Sequence, residues 1–120
     1  MELKIPPVEY TDMSQQSTNR HGRSIDAESV FSLFGDDYAR ELLEALGTGP
    51  ATVNELTDRC RASRVTIYRR LNELEELGFV RSHTKVRRDG NHCKVFQSTD
   101  RTVTITLSPD GFEAELECDR

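Results

Sequence analysis

Between positions 50 and 80 the apolar residues recur at helical spacing in two blocks, Val53, Leu56 and Cys60 in the first and Ile67, Leu71, Leu74 and Leu77 in the second. Each block turns one stripe inward and leaves its other face polar. Ser63 stands where an N-cap hydroxyl accepts from an orphan amide of the next turn, and Gly78 stands where a helix ends in a left-handed residue. The spacing therefore predicts a helix from Arg64 to Leu77, preceded by a tight turn and a shorter helix capped by Thr52. Upstream, Val30, Phe31, Phe34, Tyr38, Leu42, Leu43 and Leu46 describe one broken helix or two short ones divided near Gly35, expected to supply most of the core. Gly47, Gly49 and Pro50 end that element.

Beyond Gly78 the period changes to two. The stretch FVRSHTKVRRDGNHCKVFQS has Asp89-Gly90 at its centre, a two-residue hairpin signal. With those two residues as the turn, Arg87 lies opposite His92, Val86 opposite Cys93, and Lys85 opposite Lys94. One face then holds Val80, Thr84, Val86, Cys93 and Val95, and the other collects Arg81, His83, Lys85, Arg87, His92 and Lys94, with Arg88 beside the turn. Like charges stacked across strands are unfavourable without an anion over them, so such a face suits phosphate.

Two further segments complete the order of elements. VTITL and FEAEL flank Ser108-Pro109-Asp110-Gly111, a turn that pairs Leu107 with Phe112, Ile105 with Ala114, and Val103 with Leu116, all on one face. An isolated hairpin is marginal, so that face must pack on the chain's own helices or on a second subunit; a dimer contact is expected, with intramolecular packing as the alternative. Residues 1–24, with Pro6-Pro7 and the polar run SQQSTNRHGRS, read as a disordered arm. Arg20, His21 and Arg23 would let such an arm follow a groove, but a plain flexible tail is the expectation and no function is assigned to it. The fold class is α+β: a winged helix-turn-helix of three to four helices with a β-hairpin wing over 25–100, plus a C-terminal β-hairpin over 101–120.

On the second helix of the motif, the outward face near the N-terminus carries Arg64, Val65, Thr66, Tyr68 and Arg69 behind the cap Ser63. Arginine bonds guanine in bidentate fashion, threonine or valine meets the thymine methyl, and a tyrosine hydroxyl reaches phosphate. These six residues are the expected recognition set, and Arg81, His83, Lys85, Arg87, Arg88, His92 and Lys94 the expected wing set, for double-stranded DNA.

Charge sharpens this picture. The 120-residue chain has a formal charge of −5, the wrong sign for a nucleic-acid binder until it is divided along the sequence. Between Arg59 and Arg101 stand 11 Lys or Arg against 5 Asp or Glu, a net of +6, and the remainder carries −11. Arginine outnumbers lysine 13 to 3 and carboxylates abound, which resembles the surface bias of haloarchaeal proteins. Binding in strong salt weakens phosphate contacts, so base contacts would supply more of the affinity.

From about Phe34 to Phe96, DDYARELLEALGTGPATVNELTDRC, then ASRVTIYRRLNELEELGFVRS, then a basic hairpin resemble the ArsR-type winged-helix repressors. The resemblance implies a DNA-binding transcription regulator, a homodimer, with groove-facing positions at Arg64, Val65, Thr66, Tyr68 and Arg69. Metal-sensing members carry a Cys-x-Cys pair where this chain has ELTDRC, with Cys60 alone, and the family's terminal helix has no counterpart here. No metal and no cofactor are therefore expected.

The remaining chemistry is sparse. Cys60, Cys93 and Cys118 are odd in number, far apart and at no zinc spacing; Cys60 is expected in the core, and Cys118 as an inert thiol rather than a dimer cross-link. His83 and the His92-Cys93 pair cannot easily share a metal, because neighbours along a strand face opposite ways. No phosphate-cradling glycine loop, nucleophile elbow or metalloprotease motif supports an enzyme, and Asp36-Asp37 and Glu75-Glu76 read as solvated helix surfaces. No stretch is apolar enough for a membrane and no secretory signal opens the chain, so the cytoplasm is expected. A repressor is expected because small domains block polymerase, with no effector pocket evident. The competing reading is a winged-helix protein-interaction module of transcription or repair machinery that does not bind specific DNA.

Overall fold

The computed structural model describes residues 22–117. Strand β1 (Gly22–Ile25) leads into helices α1 (Ala27–Phe34) and α2 (Asp37–Leu46). Strand β2 (Ala51–Thr52) precedes α3 (Val53–Arg59) and α4 (Arg64–Leu77), and strands β3 (Val80–Val86), β4 (His92–Ser98), β5 (Thr102–Ser108) and β6 (Gly111–Glu117) follow. The described residues thus form an α+β fold with two antiparallel three-stranded sheets, ordered β2-β4-β3 and β1-β6-β5. None of their helices is long and apolar enough to cross a membrane.

Each helix starts and stops where local chemistry dictates. Asp26 and Asp36 cap α1 and α2 by accepting from the amides of Ser29 and Ala39. Gly35 divides the two helices, as the spacing predicted. Thr52 and Glu55 form a reciprocal capping box on α3, the Thr52 amide donating to Glu55 Oε1 at 2.8 Å and the Glu55 amide to the Thr52 hydroxyl at 3.2 Å. That donated bond also holds the exposed Glu55 carboxyl below its ordinary range. Ser63 caps α4, and Gly78 ends it at φ 96°, with Phe79 N–H donating to Leu74 O and Gly78 N–H to Glu75 O, a Schellman closure.

The core lies among these helices and the roots of the strands. Val53, Leu56 and Cys60 of the first motif helix and Ile67, Leu71 and Leu74 of the second are buried, with Phe79, Val80 and Phe96 beside them. In α1 and α2 the buried stripe is Val30, Leu33, Ala39, Leu42 and Leu46. This rotates the predicted stripe, because Phe31 and Tyr38 are exposed and the smaller Ala39 takes the inward place against α4. Two acidic residues read as solvated have specific partners. Asp36 accepts from Arg70 Nε at 3.0 Å, tying α2 to α4, and Glu75 accepts from the Ser82 hydroxyl at 2.8 Å, tying α4 to β3.

The C-terminal hairpin has the predicted register, with Leu107 opposite Phe112, Ile105 opposite Ala114 and Val103 opposite Leu116. Its root packs within the chain: Ala114 and Leu116 are buried and β6 lies on α1. β1 was not foreseen. Residues Gly22–Ser24, assigned to a disordered arm by composition, pair with Glu117–Glu115 of β6. Backbone bonds to a strand some ninety residues away stabilise them, and no local pattern announces such bonds. The rest of that arm, with Arg20 and His21, and Cys118 lie outside the described residues.

Candidate nucleic-acid interface

The turn between α3 and α4 sets the site. Burial of Cys60 and Ala62 anchors it, while Ser63 spends its hydroxyl on the Thr66 amide at 3.2 Å and on the Thr66 hydroxyl at 3.1 Å. Ser63 is thereby a structural cap, and Thr66 is half-buried. Arg64, Val65, Tyr68 and Arg69 form the exposed face, Val65 being 67% and Tyr68 45% exposed. Arg64 is not a loose surface arginine: its Nη2 donates to Asn54 Oδ1 on α3.

The wing corrects the expected geometry. Val86 pairs with His92, Lys85 with Cys93, Thr84 with Lys94 and His83 with Val95, one residue out of the predicted register. A two-residue type I′ turn needs positive φ at both Asp89 and Gly90, and only Gly90, at φ 87°, has it. The chain instead closes a three-residue loop, Arg87 N–H donating to Asn91 O at 2.7 Å and Gly90 N–H to Arg87 O at 3.0 Å. Asp89 fixes the loop by accepting from the Asn91 amide at 3.0 Å, a bond that holds its carboxyl below the ordinary range.

This slip divides the basic residues between the two faces. His92 and Lys94 now share a face with Val80, Ser82, Thr84, Val86 and Phe96, whereas Arg81, His83 and Lys85 stand on the opposite face with Cys93, Val95 and Gln97. The predicted single cationic face does not exist. What forms instead is an open groove of about 250 Å³ between motif and wing, lined on the helix side by Asn54, Arg64 and Tyr68 and on the wing side by Arg87, His92 and Lys94. The Lys94 ammonium sits 5.5 Å from the centre of the Phe96 ring, which supports its stem. Arg88 is exposed at the wing tip.

Among the described residues the carboxylate partners go elsewhere. Arg40, Arg61 and Arg70 pair with Asp37, Glu41, Asp36 and Glu73, away from the groove, while Arg64, Arg69, Arg81, Lys85, Arg87, Arg88 and Lys94 form no ion pair. Asn54 is the groove residue that the sequence reading missed. Its signal was its place two residues past the Thr52 cap, on the polar flank of α3 that borders the next helix.

No group of three or more His, Cys, Asp or Glu among the described residues has the geometry to hold a metal ion. Cys60 and Cys93 are unpaired, and burial pushes the Cys60 thiol above its ordinary pKa.

The family model of the HVO_A0261 N-terminal domain, a haloarchaeal family, matches residues 27–89. The chain belongs to this family. The matched HVO_A0261 segment runs from the first residue of α1 to the wing loop, and so contains the whole of α1–α4 and β3. Strands β5 and β6 lie outside it. No curated protein matches the chain.

Proposed function

We propose that this chain is a cytoplasmic, sequence-specific double-stranded DNA-binding transcription regulator, acting as a repressor, with α4 in the major groove and the β3–β4 wing against the phosphate backbone. The observation that carries this reading is the set of cations around one exposed helix face: Arg64, Arg69, Arg87 and Lys94 form no salt bridge among the described residues, in a chain where carboxylates outnumber cations 21 to 16. With no carboxylate held against them in a salt bridge, they suit a polyanion.

Within this reading, Arg64, buttressed by Asn54, and Val65 read base edges; Arg69 and Tyr68 reach phosphate or sugar; and Arg87, Arg88 and Lys94 add non-specific affinity. The ArsR-type likeness of Phe34–Phe96 belongs to the same reading, without metal sensing.

Titration of a cognate duplex by fluorescence anisotropy tests it. Arg64→Ala is expected to cost about 1–3 kcal/mol and to relax preference at one base pair. Unchanged affinity in both Arg64→Ala and Arg69→Ala would favour a protein-interaction module instead.

A further inference from the structure

Strand β5 is the open edge of the sheet β1-β6-β5, and its seven residues, TVTITLS, include no charge and no proline. Edges left to solvent ordinarily carry charges or proline, because a free row of N–H and C=O groups templates another strand. The wing edge β3 obeys that rule with Arg81, His83 and Lys85. In a chain that is 31% charged, an uncharged β-branched edge of this length departs from it.

The side chains above that edge are also uncovered. Closing a two-residue turn at Ser108 and Gly111 makes that pair the hydrogen-bonded kind. The alternation then directs the backbone groups of Thr102, Thr104 and Thr106 toward β6 and those of Val103, Ile105 and Leu107 outward. The side chains of Val103, Ile105 and Leu107 lie on the apolar face of the sheet. There Leu107 is 65% exposed, Phe112 55% and Ile105 36%, and Phe31 meets Phe112 edge-to-face at 5.1 Å.

We propose that β5 joins two copies of this chain edge to edge, antiparallel about a two-fold axis, extending the sheet to six strands. A register centred on Ile105 sets Ile105 opposite Ile105 of the partner subunit and Val103 opposite Leu107 of the partner subunit. Every outward peptide group of the three residues is then in a bonded pair, and the apolar faces of both copies fall on the same side. Thr104 meets Thr106 of the partner subunit, a favourable cross-strand pair.

Charge selects a second copy as the occupant. Outside residues 59–101 the chain carries a net −11, so most approaches between two copies on that half bring like charges together. The β5 edge is neutral. Glu113, Glu115 and Glu117 sit one strand in, on β6, and edge-to-edge pairing leaves the two β6 strands three spacings apart, about 14 Å. That exceeds the screening length in physiological salt, about 8 Å. The proposal stands on the sheet edge alone and does not depend on DNA binding.

Sedimentation or light scattering of the full chain across a concentration series tests it. A mass twice 13.7 kDa is expected, undiminished on going from low to molar salt because no ion pair joins the copies. Leu107→Lys is expected to give monomer at concentrations where the wild type is dimer, with unchanged far-UV circular dichroism because the side chain is two-thirds exposed. Should that variant fail to fold, hydrogen exchange of the wild type decides. The amides of Val103, Ile105 and Leu107 are expected to be protected when concentrated and to exchange freely on dilution. A monomer at all concentrations overturns the proposal, whether those amides are open or are covered by the chain's own residues; so does a dimer that survives Leu107→Lys or that falls apart with salt.

Discussion

Gly78 joins three parts of the molecule at one residue. Its φ of 96° ends α4, and a Cβ there would lie 2.5 Å from Nη2 of Arg23 and 2.7 Å from Cδ2 of Leu116. Arg23 Nη2 itself donates to Leu77 O at 3.1 Å, so β1 places a cation on the last carbonyls of the proposed recognition helix. Gly78→Ala is expected to destabilise by about 1–3 kcal/mol, read as a lower urea midpoint; a change within the error of the midpoint would show that this junction is not tight. The Asp36–Arg70 pair makes a separate claim. The Arg70 guanidinium beside Asp36 holds its carboxyl below the usual value, so its stabilisation is present above the unfolded-state pKa, near 4, and is lost as pH falls through the depressed one. Asp36→Asn keeps a good helix cap while removing the charge and one of the two oxygens that accept from Arg70. It is expected to cost up to about 1 kcal/mol at neutral pH and to flatten the decline of stability below about pH 4. An unchanged acid limb in that variant would contradict the assignment.

At the scale of elements, what was legible in the sequence was what is decided locally. Ser63, Thr52 and Gly78 act within one turn of their own helix, so α4 runs from Arg64 to Leu77 as its caps and spacing predicted. Pro109-Asp110 fixes the β5–β6 register in the same local way. The wing failed at one dihedral. Asp-Gly serves both a two-residue turn and a three-residue loop with a glycine bulge, and the pattern alone does not tell which φ Asp89 adopts. That single choice moved His92 and Lys94 away from Arg81, His83 and Lys85 and beside Arg64 and Tyr68. β1 had no local signal and Asn54 only its place after the Thr52 cap, since their roles exist through partners on other elements. The corrected wing makes a prediction that the expected one did not. Arg87→Ala and Lys94→Ala should each weaken binding to all duplexes alike and reduce the salt slope by about 1, whereas Arg81→Ala, on the other face, should change it less. Equal effects of all three in anisotropy titrations would return the wing to a single cationic face.

The described residues measure 60 × 32 × 23 Å, and the chain divides its charges along its length, +6 over residues 59–101 and −11 over the rest. On a polyanion such a charge distribution orients docking, because the acidic part is repelled while the motif and wing are drawn in. With Arg69, Arg87, Arg88 and Lys94 each neutralising one phosphate, log K against log salt should fall with a slope of about −3 to −4 per protomer. A slope near zero would mean that these cations do not meet phosphate. If affinity survives in strong salt, the share that persists comes from base contacts by α4 rather than from the wing. The central claim, that the helix opened by Ser63 reads DNA sequence, is tested most directly by selecting bound duplexes from a randomised pool at low and at molar salt and sequencing the survivors. One enriched motif is expected, two-fold symmetric and retained in molar salt; a pool that emerges unenriched in both salts would contradict that reading.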